Sequence, residues 1–148
     1  MVISGAHEVE VQAPAERCFA ILLDVPAYPE WWPGATRAEV VDPGPPPEIV
    51  LGFDPHAPGV GEIELRLRLE SDAPTRMVPT LTGGRLSRLD GPGWTLTPTG
   101  ADACTVRYEI TAEMSTGLPG FLERGFAGQG KRFMIDEPVE ALRTRAQA

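Results

Sequence analysis

The most regular stretch of the chain lies between residues 61 and 70, where Ile63, Leu65, Leu67 and Leu69 alternate with Glu62, Glu64, Arg66, Arg68 and Glu70. Successive side chains of a strand point to opposite faces, so this spacing predicts a strand with one face on a core or cavity and the other in water. Period two recurs at 7–12, where Val9 and Val11 oppose Glu8, Glu10 and Gln12, and again at 36–42. It continues at 48–54, with Ile49, Leu51 and Phe53 on one side, and at 104–113, with Cys104, Val106, Tyr108, Ile110 and Ala112 on one side. Shorter strands are predicted at 75–82, 85–90 and 94–98, punctuated by Gly83-Gly84 and Gly91-Pro92-Gly93.

Helical spacing appears in two places. Ala13-Pro14-Ala15-Glu16 places Pro in a first turn, and Cys18, Phe19, Ile21 and Leu22 fit one helical face. Asp24-Val25-Pro26 breaks this helix, and the segment from Ala27 to Pro33 predicts a second short one bounded by Pro. From Pro119 onward the turn signals fade, and Phe121, Leu122, Phe126, Phe133, Met134, Val139 and Leu142 are expected to form one broad stripe. Gly125, Gly128 and Gly130 weaken that helix by about 1 kcal/mol each relative to Ala. Pro138 is expected to kink it. The Pro-rich piece Pro43-Gly44-Pro45-Pro46-Pro47 reads as a rigid hairpin connection, and Asp54-Pro55-His56-Ala57-Pro58-Gly59 as an exposed turn. One strand, two short helices, about six strands in meander and a long final helix predict an α+β protein. Its antiparallel sheet of about seven strands closes its apolar face around the last helix.

Composition bounds the function. A length of 148 residues suits one domain, 1–148, and no repeat or linker divides it. Thirteen Lys and Arg against 21 Asp and Glu give a net charge of −8, and the basic residues are scattered. Nucleic-acid binding requires clustered cations, so no nucleic acid is expected as a partner. The same deficit speaks against docking on anionic membranes, and no segment approaches the roughly 20 apolar residues of a span. Cys18 and Cys104 sit in apolar patterns and read as buried free thiols. The N-terminal residues carry no basic, long apolar leader, and a cytoplasmic protein is expected. No His, Cys or Asp spacing suits zinc or iron, and no phosphate-binding loop appears, so no metal and no cofactor is expected. The pattern carries no signal for an oligomeric state.

The stretch VEVQAPAERCFAILLDVPAYPEWWPG, a strand followed by apolar-Pro-Ala, a helix ending in Asp and an aromatic-Pro-x-Trp segment, resembles the opening of the START-like helix-grip (SRPBCC) superfamily. That superfamily includes polyketide cyclase/dehydrases and coenzyme Q-binding START proteins. The later GWTLTPTG and CTVRYEIT resemble its Trp–Pro–Gly–Thr-Val-x-Tyr strand pair. The resemblance implies a helix-grip fold with a deep cavity between the concave sheet and the C-terminal helix, typically ~300–1,000 Å³. It also implies a small hydrophobic partner such as a lipid, a quinone or an aromatic polyketide.

Candidate ligand-binding residues on this reading are Trp32, Phe53, Leu65, Leu67 and Leu81 from the first part of the chain. Trp94 and Tyr108 from the later strands, and Phe126, Phe133 and Met134 from the last helix, complete the set. Each is also an ordinary core residue. Tyr108 stands out because its hydroxyl is able to orient a carbonyl or phenol. Cyclisation and dehydration need proton donors and acceptors in the pocket. Alternation puts Arg66 and Arg68 on the water side, and Asp54 with His56 forms only a weak acid–base candidate. Gly34 and Ala35 stand where some aromatase/cyclases place an aromatic hydroxyl, and Pro138 where a polar amide is expected. No complete catalytic set is present, so no catalytic residue is assigned. The two alternatives to a carrier are a cyclase/dehydrase-like enzyme and an interaction module with a vestigial cavity.

Overall fold

The computed structural model describes residues 1–56 and 59–148. Strand β1 (Val2–Val11) leads into helix α1 (Ala15–Leu23), a single tight turn over Val25–Ala27 and helix α2 (Tyr28–Trp31). Six strands follow: β2 (Ala35–Asp42), β3 (Glu48–Phe53), β4 (Ile63–Asp72), β5 (Arg76–Gly84), β6 (Arg88–Gly100) and β7 (Ala103–Glu113). All seven strands form one antiparallel sheet in the order β1-β7-β6-β5-β4-β3-β2. β2 to β7 are thus a plain meander, and β1 returns to flank the last strand.

Alternation decides the faces. Ile63, Leu65, Leu67 and Leu69 of β4 are buried while Glu64 and Glu70 are exposed. On β7 Cys104, Val106, Tyr108, Ile110 and Ala112 are buried in the same rhythm. The expected break at Gly91-Pro92-Gly93 is not a turn. β6 runs through it as one strand of 13 residues, with a register shift between Asp90 and Gly93. Gly93 has φ +72°, and a Cβ there would lie 2.6 Å from the Met77 carbonyl oxygen, so the signal marks a bulge that only glycine fits closely. β1 also begins earlier than its alternation at 7–12 indicates, because pairing with β7 extends back to Val2.

The apolar face is covered by the C-terminal helix in three joined pieces: α3 (Gly120–Lys131), a wider π turn over Arg132–Asp136, and α4 (Glu137–Gln147). Ile135, Val139, Leu142 and Ala146 recur at helical spacing and are all buried, so this half of the helix is anchored in the core. The π turn ends two residues before Pro138, whose ring and missing N–H disfavour the regular pattern. The sequence signal read as a kink is accommodated as a bulge. The expected stripe fails at its beginning, since Phe121 is 67% exposed and Leu122 39% exposed. Phe121 is five residues from Phe126, about 140° round the helix, and falls off the packed face. On α1, Ala15, Cys18, Phe19 and Leu22 are buried, and Tyr28 beyond it donates its hydroxyl proton to the Leu22 carbonyl at 2.5 Å. No described helix is long and apolar enough to cross a membrane.

Candidate ligand cavity

Between the concave face of the sheet and the α3–π segment lies a cavity of about 130 Å³. This is well below the expected ~300–1,000 Å³ range of family pockets, because bulky aromatic side chains fill the space instead of bordering it. Trp32 packs against Phe53 with ring centroids 5.8 Å apart, against Trp94 at 5.9 Å and against Tyr108 at 6.5 Å. Phe53 in turn meets Phe133 of the π turn at 6.4 Å. The rings form a continuous seam from α2 across the sheet to the C-terminal helix.

Nine of the ten residues singled out from the sequence line this cavity: Trp32, Phe53, Leu65 and Leu67; then Trp94 and Tyr108; then Phe126, Phe133 and Met134. Leu81 does not. It sits half-buried against the core cluster, paired with Leu67 where the β4–β5 register shifts. Of the adjacent tryptophans only Trp32 reaches the cavity. Trp31 lies against α1, and its indole nitrogen is buried with no hydrogen-bond partner among the described residues.

Sequence reasoning missed several wall residues. Ile3 and Met114 come from strand ends whose alternation is cut short, and Pro79, Leu86 and Leu89 from the weakly patterned β5–β6 region. It also missed the tightness around Phe133. A Cβ on Gly34 would lie 2.4 Å from the Phe133 ring, so the residue after the Pro-x-Trp segment must be small for this ring to seat.

The chemistry of the wall is uniform. No Asp, Glu, Lys, Arg or His side chain among the described residues lines it. Arg66 pairs with Glu48 at 3.5 Å on the outer face, and Arg68 donates to the Pro46 carbonyl at 2.8 Å and to Asp42 at 3.2 Å. Both stay out of the cavity, as alternation requires. His56 and Asp54 approach to 3.4 Å, but His56 is 81% exposed, so water screens the pair. Ala57 and Pro58 of that turn lie outside the described residues. Glu140 meets His7 Nε2 at 3.0 Å and Asp136 meets its Nδ1 at 3.7 Å, linking β1 to the final helix away from the cavity. No cluster of His, Cys, Asp and Glu among the described residues is able to hold a metal ion.

The polar groups that do reach the wall are hydroxyls, one amide and indoles. The Tyr28 hydroxyl is committed to Leu22, and Thr116 Oγ1 lies 2.5 Å from Glu123 and accepts from the Leu118 N–H at 3.1 Å. Gln129 is exposed. The Tyr108 side chain is buried and stacks on Trp94 at 4.2 Å, and its hydroxyl makes no hydrogen bond to another described residue. Burial alone drives its acidity far below that of an ordinary phenol, so it remains a proton donor. Cys18 and Cys104 are free buried thiols whose sulfurs lie 3.7 Å apart between α1 and β7, outside the cavity wall.

The sequence profile of a family described as polyketide cyclase/dehydrase and lipid transport matches residues 11–137. A persistence and stress-resistance toxin, PasT, of Escherichia coli O6:H1 is 27% identical over 134 residues, covering 90% of this chain and 80% of the toxin. Among solved structures, a START superfamily protein from Mycobacterium smegmatis superposes with a TM-score of 0.74 at 20% identity, over 97% of this chain and 96% of the other. The Zhui aromatase/cyclase from a Streptomyces species superposes at 0.63 with 21% identity, over 99% and 94%. At such identities the structures speak for the fold, which is the START helix-grip. With a curved seven-stranded sheet, a gripped C-terminal helix and a profile match over most of its length, the chain belongs to the polyketide cyclase/dehydrase and lipid transport family.

Proposed function

We propose that this protein binds and carries a small hydrophobic molecule in its cavity, as one cytoplasmic unit spanning 1–148, and does not transform it. The observation that carries this reading is the wall itself: aromatic and aliphatic, with no charged side chain among the described residues. Family membership supports hydrophobic ligand binding in general. Closing a polyketide ring and expelling water both require a base to remove a proton and an acid to return one. A tyrosine whose proton is held tightly supplies at most the acid half. The nine lining residues Trp32, Phe53, Leu65, Leu67, Trp94, Tyr108, Phe126, Phe133 and Met134 are the ligand contacts in this reading.

Native mass spectrometry of the protein as purified, followed by solvent extraction, tests it. A bound small apolar mass that is released unchanged supports the carrier. A bound mass converted to a cyclised or dehydrated product on incubation overturns it in favour of an enzyme.

One observation favours a second reading. The small cavity and the PasT relative fit an interaction module in which the hollow is nearly filled. Such a module binds a protein partner with the same affinity whether or not the cavity is blocked by substitution at Leu67.

A further inference from the structure

The dimensions and polar inventory of the cavity narrow its occupant, an inference that rests on the ligand-binding reading above. A dry apolar cavity of about 150 Å³ accepts benzene. At about 130 Å³, the space here admits something of one ring, while a sterol, a folded polyketide or a long acyl chain has several times the heavy atoms. Charge is excluded as well, since an ion entering would shed its water and find no counter-ion on the wall. What the wall does offer is the Tyr108 hydroxyl, which bonds no other described residue and is held by the stack of its ring against Trp94. A ligand oxygen placed to accept from it gains a hydrogen bond within an otherwise apolar wall.

We propose that the cavity selects an uncharged, single-ring molecule bearing one carbonyl or hydroxyl oxygen, which accepts a hydrogen bond from the Tyr108 hydroxyl. The ring occupies the space bounded by Trp32, Phe53, Leu67 and Phe133, and the oxygen marks the β6–β7 side. Specificity follows from a site built to donate, which discriminates against an isostere that lacks the acceptor.

The test uses intrinsic fluorescence, since Trp32 and Trp94 are in the wall, with four probes: acetophenone, its hydrocarbon isostere α-methylstyrene, benzoate and palmitate. Acetophenone is expected to bind about 3- to 10-fold more tightly than α-methylstyrene, the range of one neutral hydrogen bond. Benzoate and palmitate are expected not to saturate the signal. Tyr108→Phe, checked for an unchanged melting profile, is expected to erase the ketone preference while retaining the hydrocarbon affinity. The infrared carbonyl stretch of isotope-labelled acetophenone on the unaltered protein reads the same bond independently. A lowered frequency supports the Tyr108 contact, and an unshifted one overturns it. Comparable binding of palmitate or benzoate, or a ketone preference that survives Tyr108→Phe, overturns this inference and leaves hydrophobic binding standing. Binding of none of the four overturns both.

Discussion

Trp94 and Tyr108 are direct partners across strands β6 and β7, and their rings stack 4.2 Å apart at an interplanar angle of 20°. Cross-strand aromatic pairs contribute about 0.2–1 kcal/mol relative to alanine pairs. Here the pair also fixes a tyrosine hydroxyl on the cavity wall that bonds no other described residue. Structure and proposed function meet at this pair.

Filling the hollow separates fold from function. Leu67 is 5% exposed and lies on the wall of the cavity. Leu67→Trp is expected to occupy much of the space and cost about 1–3 kcal/mol of stability from overpacking, well short of unfolding. Circular dichroism should report an intact fold while fluorescence titration shows no binding of acetophenone.

The glycines of α3 divide by environment. A Cβ on Gly128 meets nothing within 4 Å, so Gly128→Ala should gain about 1 kcal/mol from helix propensity, roughly 2–4 °C in Tm. It should also slow ligand release in stopped-flow if this segment opens to let the ligand out. A Cβ on Gly130 would sit 2.7 Å from Ile3 Cδ1, so Gly130→Ala is expected to lose that gain by displacing Ile3 from the cavity wall. A rise in Tm for both substitutions would contradict the close approach of helix to β1.

Alkali should loosen the fold. Burial pushes the Cys18 thiol up to about 12 from an ordinary 9.0, with the Cys104 thiol beside it adding to the rise. Burial also raises Cys104, Tyr28 and Tyr108. Each group is protonated in the folded state where the unfolded chain has already ionised. The folded state therefore holds more protons, and stability falls as pH climbs above about 9, by at most about 1.4 kcal/mol per unit per group. Urea melts between pH 8 and 11 measure this. Cys18→Ala, which removes one such group, should flatten the decline.

The same thiols should be inert. Both cysteines are fully buried and hold their protons tightly, whereas alkylation needs an exposed thiolate. Iodoacetamide at neutral pH is expected to label neither in the folded protein and both in urea. Labelling without denaturant would show that α1 lifts from β7.

Strand faces and element order were legible because the chain is locally consistent. β4 and β7 alternate without a break, and the resemblance of the Pro-Ala-Glu and Pro-Glu-Trp-Trp segments supplied the architecture. Nine wall residues followed from the apolar faces taken together with the cavity that the resemblance implied. The remainder depended on tertiary terms. Gly91 and Gly93 carry the composition of a turn, but the neighbouring backbone of β5 and β7 makes them a bulge inside β6. Leu81 obeys its strand's rhythm and pairs with Leu67 at a register shift, yet it is not on the wall. Phe121 satisfies hydrophobicity but not helical phase. The volume of the hollow was invisible because it depends on how Trp32, Phe53 and Phe133 interlock, which no one-dimensional pattern encodes.

The claim on which the rest depends is that an empty apolar space persists between the sheet and the C-terminal helix. A crystal of the protein pressurised with xenon tests it most directly, since xenon enters dry cavities of this size. Strong xenon density bounded by Leu67, Trp94, Tyr108 and Phe133 is expected. Side chains closing that space, with no xenon bound there, would contradict it.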